Sequence, residues 1–159
     1  MSDVVGIKQR LLLDRVGDDP AARLILALHT TARRIDAACA ALLAGHQLSE
    51  GRLAALLAVV DEPGISPRTV ADRLEVTTAT VTGLLDGLER AGLVERRPHE
   101  TDRRARVLVP TVEGEQLVAT LTPIYADWLR HLTDGVSRRE REATEQVLAT
   151  LQSNLREHR

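Results

Sequence analysis

The sequence predicts a mainly α-helical protein with one short β-hairpin. Apolar residues recur at helical spacing over most of the 159 residues, whereas the stretch from 93 to 110 contains two Val- and Leu-rich strand patterns. Capping residues and glycines mark the ends of most of the expected elements. Aromatic residues make up only 1% of the chain and Phe is absent, so the core must be aliphatic, which suits packed helices.

The N-terminal part, residues 1–45, predicts an arm and one long helix. Apolar residues at 4, 7, 11 and 12 alternate with charges, and they indicate either a short amphipathic helix or an arm that packs on a partner. Asp19 and Pro20 open a helix over about 21–44, since Asp caps helices and Pro suits the first helical position. Gly45 ends this helix.

Residues 46–111 predict three helices followed by the hairpin. Ser49 caps a helix over about 50–60, and Ser66 caps a second, short helix that opens with Pro67. Thr77 caps a third helix over about 78–91, which Gly92 ends. The strands are expected at 93–97 and 105–110, with a charged loop at 98–104. Two short helices followed by a basic hairpin are a winged helix-turn-helix arrangement.

This segment resembles the DNA-binding core of the MarR family of bacterial transcription regulators. The resemblance is carried, in the family's order and spacing, by Thr80-Val81-Thr82, Leu88-Glu89, Gly92-Leu93-Val94, Asp102-Arg103-Arg104 and Thr111 followed by Gly114. It implies a DNA-binding transcription regulator, most simply a repressor that responds to a ligand, with double-stranded DNA as its partner. Such a chain is not an enzyme, and no motif for catalysis or a cofactor is found in the sequence.

Residues 112–159 predict two further helices with apolar stripes. Thr111 caps the first, which contains Pro123 and should therefore kink, and Ser137 caps the last. These helices and the N-terminal helix lack a core of their own. We therefore expect a homodimer in which they interlock, as the resemblance also implies. A twofold dimer predicts a pseudo-palindromic DNA site with half-sites about 34–36 Å apart.

The helix over 78–91 is the candidate DNA-reading element. Thr78, Ala79, Thr80, Thr82 and Gly83 are expected on or beside its outer face near the N-terminus, where hydroxyls can contact phosphates and methyl groups can contact thymine. The alternative is that the threonines only cap the helix and line a neutral surface. Gly83 and Gly87 stand where relatives often carry basic or amide side chains, and here they would allow close backbone approach to DNA.

The hairpin and the helix before the reading helix carry the candidate basic contacts. By resemblance, Asp102 braces a wing arginine, Arg103 or Arg104, that enters the minor groove. Arg96, Arg97 and Arg106 either contact phosphates or stay solvated. Arg68 and Arg73 are weaker phosphate candidates. Net charge is only −2 over the whole chain, so the positive charge concentrated at the hairpin is what favours DNA contact there.

The resemblance also implies a small aromatic or anionic ligand. His29, Arg33 and Asp36 form a polar stripe that either lines its pocket or is a solvated face, and Trp128 is a minor pocket candidate. Cys39 has apolar helical neighbours, so a buried thiol is favoured over a redox sensor. The five His are scattered, and we expect no metal site.

Two alternatives stay open from the sequence alone. A winged helix can dock another protein without reading DNA, which Gly83, Gly87 and the modest net charge would allow. Oxidation of Cys39 is an alternative trigger to a ligand. No signal peptide and no membrane-spanning run is found, so a soluble cytoplasmic protein is expected.

Overall fold

The computed structural model describes residues 4–17, 19–99 and 105–157. Within these ranges the secondary structure matches the predicted mainly helical fold with one hairpin. The elements are α1 (Ile7–Val16), α2 (Pro20–Ala44), α3 (Glu50–Asp61), α4 (Pro67–Arg73), α5 (Thr78–Arg90), β1 (Val94–Pro98), β2 (Arg106–Pro110), α6 (Val112–Leu132) and α7 (Arg138–Glu157).

The chain forms two compact units, Met1–Glu115 and Gln116–Arg159. The first contains α1 to α5, the hairpin and the first turn of α6. The second contains the rest of α6 and α7. The three-part division predicted from the sequence, at 45 and 111, stays a prediction.

The predicted capping residues start the helices of the first unit. Asp19 accepts a hydrogen bond from the Ala22 N–H at 3.0 Å, and Ser49 accepts one from the Arg52 N–H at 3.3 Å. Gly45 ends α2, as expected. Residues Ile7–Val16 form the predicted short helix α1, and packing of this region on a partner stays a prediction.

Three helices and the hairpin enclose an aliphatic core. Leu56 and Val59 of α3, Val70 of α4, Leu85 and Leu88 of α5, Val94 of β1 and Leu108 of β2 are at most 1% exposed. Full burial of each such side chain stabilises the fold by about 1.5–3 kcal/mol. This core fixes α5 and the hairpin relative to one another, and these are the two elements expected to contact DNA.

The hairpin is antiparallel, with Val94 opposite Pro110 and Pro98 opposite Arg106. Its strands begin one residue later than predicted. Leu93 is not part of β1 because its N–H closes the end of α5, donating to the Leu88 carbonyl at 3.0 Å. Leu108 anchors the hairpin to the loop after α3, since its N–H donates to the Ile65 carbonyl at 2.9 Å.

The two helices of the second unit, α6 and α7, are amphipathic. Pro123 lies inside α6, as predicted. Ser137 and Glu140 form a reciprocal cap on α7: the Glu140 N–H donates to the Ser137 hydroxyl at 3.3 Å, and the Glu140 carboxylate accepts from the Ser137 N–H at 2.8 Å. Among the helices of the described ranges, none combines the length and the apolar character that crossing a bilayer requires.

Candidate nucleic-acid interface

The reading helix α5 is held by its buried side and capped at its N-terminus. Val81, Leu85 and Leu88 are at most 1% exposed, and they pack α5 onto α3 and α4. Thr77 caps the helix, because its hydroxyl accepts the Thr80 N–H at 3.2 Å. The helix ends at the predicted glycine, and Gly92 has a φ of 69°, a conformation that glycine adopts without strain.

The opposite side of α5 is open to solvent. Thr78, Ala79, Thr80, Thr82 and Gly83 are all exposed, where the sequence placed them. The hydroxyls of Thr80 and Thr82 already form hydrogen bonds with other groups at this end of the helix. The Thr82 hydroxyl donates to the Thr78 carbonyl at 2.8 Å, and those of Thr77 and Thr80 lie 2.9 Å apart. This surface therefore offers methyl groups and oxygen lone pairs more readily than free hydroxyl protons.

Gly87 does not belong to this outer surface, contrary to the sequence-based interpretation. It is buried, and the guanidinium of Arg52 from α3 covers it. Gly83, by contrast, is exposed and has no atom within 4 Å of the place where a Cβ would be. Of the two glycines, only Gly83 is free to allow close approach to a duplex.

The strand register separates the hairpin residues into two faces. Residues directly opposite each other in an antiparallel pair point to the same side, and successive residues alternate. Val94, Arg96, Leu108 and Arg106 therefore share the face that packs toward α5, and Glu95, Arg97, Val107 and Val109 share the other. Arg106 and Arg97, both predicted as DNA contacts, thus project from opposite faces of the wing.

Arg96 joins the wing to the reading helix. Its guanidinium donates to Asp86 at 2.6 Å and pairs with Glu89, both on α5. Burial alone would lower the pKa of Arg96, but the hydrogen bonds and negative charges of the two carboxylates outweigh it and raise that pKa above its ordinary value. Arg96 is therefore half-buried and paired rather than solvated, and a contact between Arg96 and phosphate stays a prediction.

The remaining basic candidates differ in what they contact. Arg97 donates to Glu95 on its own strand at 2.9 Å, and Arg73 pairs with Glu62. Arg68 and Arg106 are exposed, and neither pairs with an acidic residue in the part of the chain that the structure describes. Those two are the cations most available to a phosphate backbone. Asp102, Arg103 and Arg104 lie outside the described residues, so their roles stay predictions.

One threonine joins the end of α5, the base of the hairpin and the start of α6. The Thr111 hydroxyl donates to the Gly92 carbonyl at 2.7 Å and accepts the Gly114 N–H at 3.0 Å, while the Thr111 N–H donates to the Leu93 carbonyl at 3.1 Å. Gly114 is buried so closely against the Leu93 carbonyl that a Cβ there would clash. The base of the wing is therefore tightly packed.

The candidate ligand residues are divided between the two units. His29 Nδ1 lies 3.2 Å from Gln9 Nε2, and Arg33 lines a cleft of about 380 Å³ between α1 and α2. Trp128 is in the second unit, where its ring centroid lies 5.2 Å from that of Tyr125. Cys39 is 2% exposed. A redox sensor needs an accessible thiolate, so this burial agrees with the favoured interpretation of a core thiol.

Comparison with known proteins identifies the family. Residues 46–105 match the family model described as MarR family. The chain is 32% identical over 136 residues to the HTH-type transcriptional repressor YetL of Bacillus subtilis, covering 84% of this chain and 81% of YetL. The chain belongs to the MarR family of transcription regulators.

Other relatives agree with this assignment. The HTH-type transcriptional regulator TtmR of Methylorubrum extorquens is 29% identical over 158 residues, covering 95% of this chain and 78% of TtmR. The crystal structure of Streptococcus pneumoniae FabT in complex with DNA superposes with a TM-score of 0.72 at 25% identity, covering 86% of this chain and 98% of FabT. This MarR-type chain is a DNA-binding transcription regulator with the predicted winged-helix fold.

Two features of the interface escaped the sequence interpretation. One is the pair of salt bridges from Arg96 to Asp86 and Glu89. The spacing of the two acidic residues would have suggested it, since residues three apart share a helix face. The other is the covering of Gly87 by Arg52, for which the sequence carries no local signal, because the two residues are 35 positions apart in different helices.

Proposed function

We propose that the protein is a dimeric repressor that binds a pseudo-palindromic duplex site and releases it when a small anionic ligand binds. The observation that carries the proposal is the open, threonine-capped face of α5 beside a basic hairpin. FabT was crystallised with DNA and YetL is a repressor by name, and we extend both properties to this chain.

In this mode α5 enters the major groove with its N-terminal half. Thr78, Ala79, Thr82 and Gly83 carry no bulky side chain, so the helix backbone can approach the base edges closely. The N-terminus of a helix also favours phosphate, because its first N–H groups and the helix dipole are positive. Arg68 on α4 then supplies a backbone contact beside the reading helix.

The wing contacts the adjacent minor groove or backbone. Arg106 is exposed on the face that packs toward α5, and it places a positive charge on β2, whereas the N-terminal half of the reading helix is uncharged. Arg103 and Arg104 are proposed as the groove-entering residues of the loop, with Asp102 bracing one of them. Arg97, already engaged by Glu95 on the far face, is the weaker candidate.

Exposed apolar side chains support a dimer. Ile7 is 87% exposed and Leu11 65% in the first unit, and Leu155 is 71% exposed in the second. Soluble monomers rarely expose large apolar patches on their helices. A second copy of the chain would cover these side chains of α1 and α7.

DNA binding is tested with a fluorescent duplex taken from the upstream region of the protein's own gene. We expect a sequence-preferring complex at nanomolar to micromolar protein, weakened steeply by added salt. Replacing both Arg103 and Arg104 with Ala should reduce affinity and make the salt dependence shallower. If the double variant binds duplex as the wild type does, the wing contacts are wrong. If the wild type prefers no sequence, the protein-docking alternative replaces the repressor.

The dimer is tested by sedimentation of Leu155→Glu. A charge at this exposed position leaves the isolated chain intact but would be buried in a dimer, so we expect dissociation to monomers and weaker binding to the palindromic duplex. The matched control, Gln152→Glu, adds the same charge one turn earlier on α7. Equal sedimentation of both variants and the wild type would exclude Leu155 from the interface.

Release by a ligand is tested with small aromatic carboxylates and with oxidant. We expect a carboxylate to raise the melting temperature and lower duplex affinity, because only a ligand that prefers the DNA-free state shifts the equilibrium. Cys39→Ser should respond to the same ligand as the wild type. Release by oxidant that disappears in Cys39→Ser would instead favour redox control.

A further inference from the structure

We infer that Arg52 is a further phosphate-binding residue of the DNA interface, on the side of α5 away from the wing, and that Gly87 leaves the space its guanidinium needs. The inference rests on the DNA-binding mode proposed above. It assigns a role to a residue on α3, a helix from which the sequence predicted no DNA contact.

The guanidinium of Arg52 lies against the backbone of α5 at Gly87. A Cβ added to Gly87 would lie 2.5 Å from Nε, 2.8 Å from Cζ and 2.9 Å from Nη2 of Arg52. Any other residue at position 87 would therefore displace the guanidinium. The two helices also approach closely one turn away, where a Cβ on Gly51 would lie 3.2 Å from Leu84 Cδ2. Glycine on each helix makes this close crossing possible.

The position of Gly87 places Arg52 at the edge of the open face of α5. At about 100° per residue, Gly87 lies one turn beyond Gly83 and about 40° around the helix from it, whereas Asp86 lies about 60° from Gly83 in the opposite direction. Asp86 meets Arg96 of the wing. Arg52 and the wing therefore flank the reading surface from opposite sides. A helix in the major groove has a phosphate strand along each side, and the wing serves only one of them.

The charges on the two flanks differ. On the wing side, Asp86 and Glu89 neutralise Arg96. Arg52 is half-buried, and its guanidinium makes no hydrogen bond or ion pair with any residue in the described ranges. A partly buried cation has lost hydration, so an anion beside it is favoured. The phosphate strand along this flank supplies such an anion.

The test measures duplex affinity of the full-length protein as a function of salt. A phosphate contact contributes about −0.9 to the slope of log K against log salt, which corresponds to about fivefold in affinity at 0.15 M relative to 1 M salt. A dimer makes this contact twice. Arg52→Ala should therefore bind the duplex about thirtyfold more weakly at 0.15 M salt, with a slope shallower by about 1.8. The loss should be equal on specific and scrambled duplexes, because phosphates carry no sequence information. Arg52→Lys should keep most of the slope.

Two further variants distinguish this role from a structural one. Arg15→Ala removes the same charge from α1 and should leave the affinity and the slope unchanged. Gly87→Ala should reproduce much of the loss by displacing the guanidinium, and it should have no further effect in an Arg52→Ala protein. Circular dichroism checks that each variant is folded, and Arg52→Gln is the substitute if Arg52→Ala is not.

The outcomes separate this inference from the proposed function. If the wild type binds the duplex and Arg52→Ala keeps its slope, Arg52 contacts no phosphate and only this inference is lost. A loss confined to the specific duplex, with an unchanged slope, would make Arg52 a positioning residue for α5 and also overturn the inference. Failure of the wild type to bind any duplex removes the proposed function together with it.

Discussion

The substitution Gly114→Ala tests how the base of the wing is joined to the reading helix. Gly114 lies in the first turn of α6, buried against the Leu93 carbonyl, where an added Cβ would clash with the oxygen and lie 3.1 Å from the carbonyl carbon. Neither neighbour is a flexible side chain tip, since both are backbone atoms of the segment between α5 and β1. The start of α6 must therefore move away from that segment.

The expected loss of stability is about 2–4 kcal/mol, the sum of three contributions. Overpacking of a close backbone contact costs about 1–3 kcal/mol. Moving α6 also stretches the hydrogen bonds from Thr111 to Gly92 and Leu93, each of which contributes about 1 kcal/mol. Against this, Ala is favoured over Gly within a helix by about 1 kcal/mol.

Urea unfolding at a fixed protomer concentration measures this loss, since dimer formation makes stability depend on concentration. Gly45→Ala is the matched control, because Gly45 has a helical φ of −62° and open space for a Cβ. It should be as stable as the wild type or up to about 1 kcal/mol more stable. A Gly114→Ala protein within about 0.5 kcal/mol of the control, at equal m-value, would refute the packing argument.

Three further predictions concern Arg96 of the wing, the turn between α4 and α5, and the start of α7. Arg96→Met should lower the free energy of unfolding by about 1 kcal/mol and weaken duplex binding, because the salt bridge between Asp86 of α5 and the wing is lost. Unchanged duplex affinity would show that this salt bridge does not position the wing for DNA. Glu75→Asn should raise the urea midpoint, since Glu75 has a φ of 51° that Asn adopts more readily, and an unchanged midpoint would show no strain there. Hydrogen bonds from Ser137 lower the pKa of Glu140, so their stabilisation is present above the ordinary carboxyl pKa and lost as pH falls through the lowered one. Carboxyl NMR titration of Ser137→Ala should show the Glu140 pKa raised toward that ordinary value, and no change would exclude the hydroxyl hydrogen bond as a cause of the lowered pKa.

The helix starts were predictable because each is specified within a few residues. Ser49, Ser66 and Thr77 each accept the expected first-turn N–H, and Thr111 does so for α6. These signals depend only on local backbone geometry, which a short stretch of sequence encodes. The exposure of Thr78, Ala79, Thr80, Thr82 and Gly83 on the outer face of α5 was also predicted correctly.

Interactions between elements were much less predictable. The periodicity of α5 placed Gly87 on the outer side, but the direction from which α3 crosses decides what covers it. Likewise, nothing in the segment 93–97 shows that Arg96 faces inward, because the face depends on the strand register. A shift of one residue would exchange the faces, and the residues that fix the register include Ile65 in another loop.

The composition of the reading face limits how this regulator can recognise a sequence. Ala79 and Gly83 offer no side-chain hydrogen bond, and the Thr82 hydroxyl proton is already donated to the Thr78 carbonyl. Bidentate contacts to bases, which discriminate by about 1–3 kcal/mol each, require Arg, Asn or Gln, and the exposed first turns of α5 carry none. Specificity must then come mainly from methyl contacts and from the shape and deformability of the duplex. Single base changes beneath α5 should therefore reduce affinity less than A·T to G·C changes at the narrow grooves facing the wings. Competition binding with a panel of singly substituted duplexes measures both, and the reverse order would show that α5 reads bases directly.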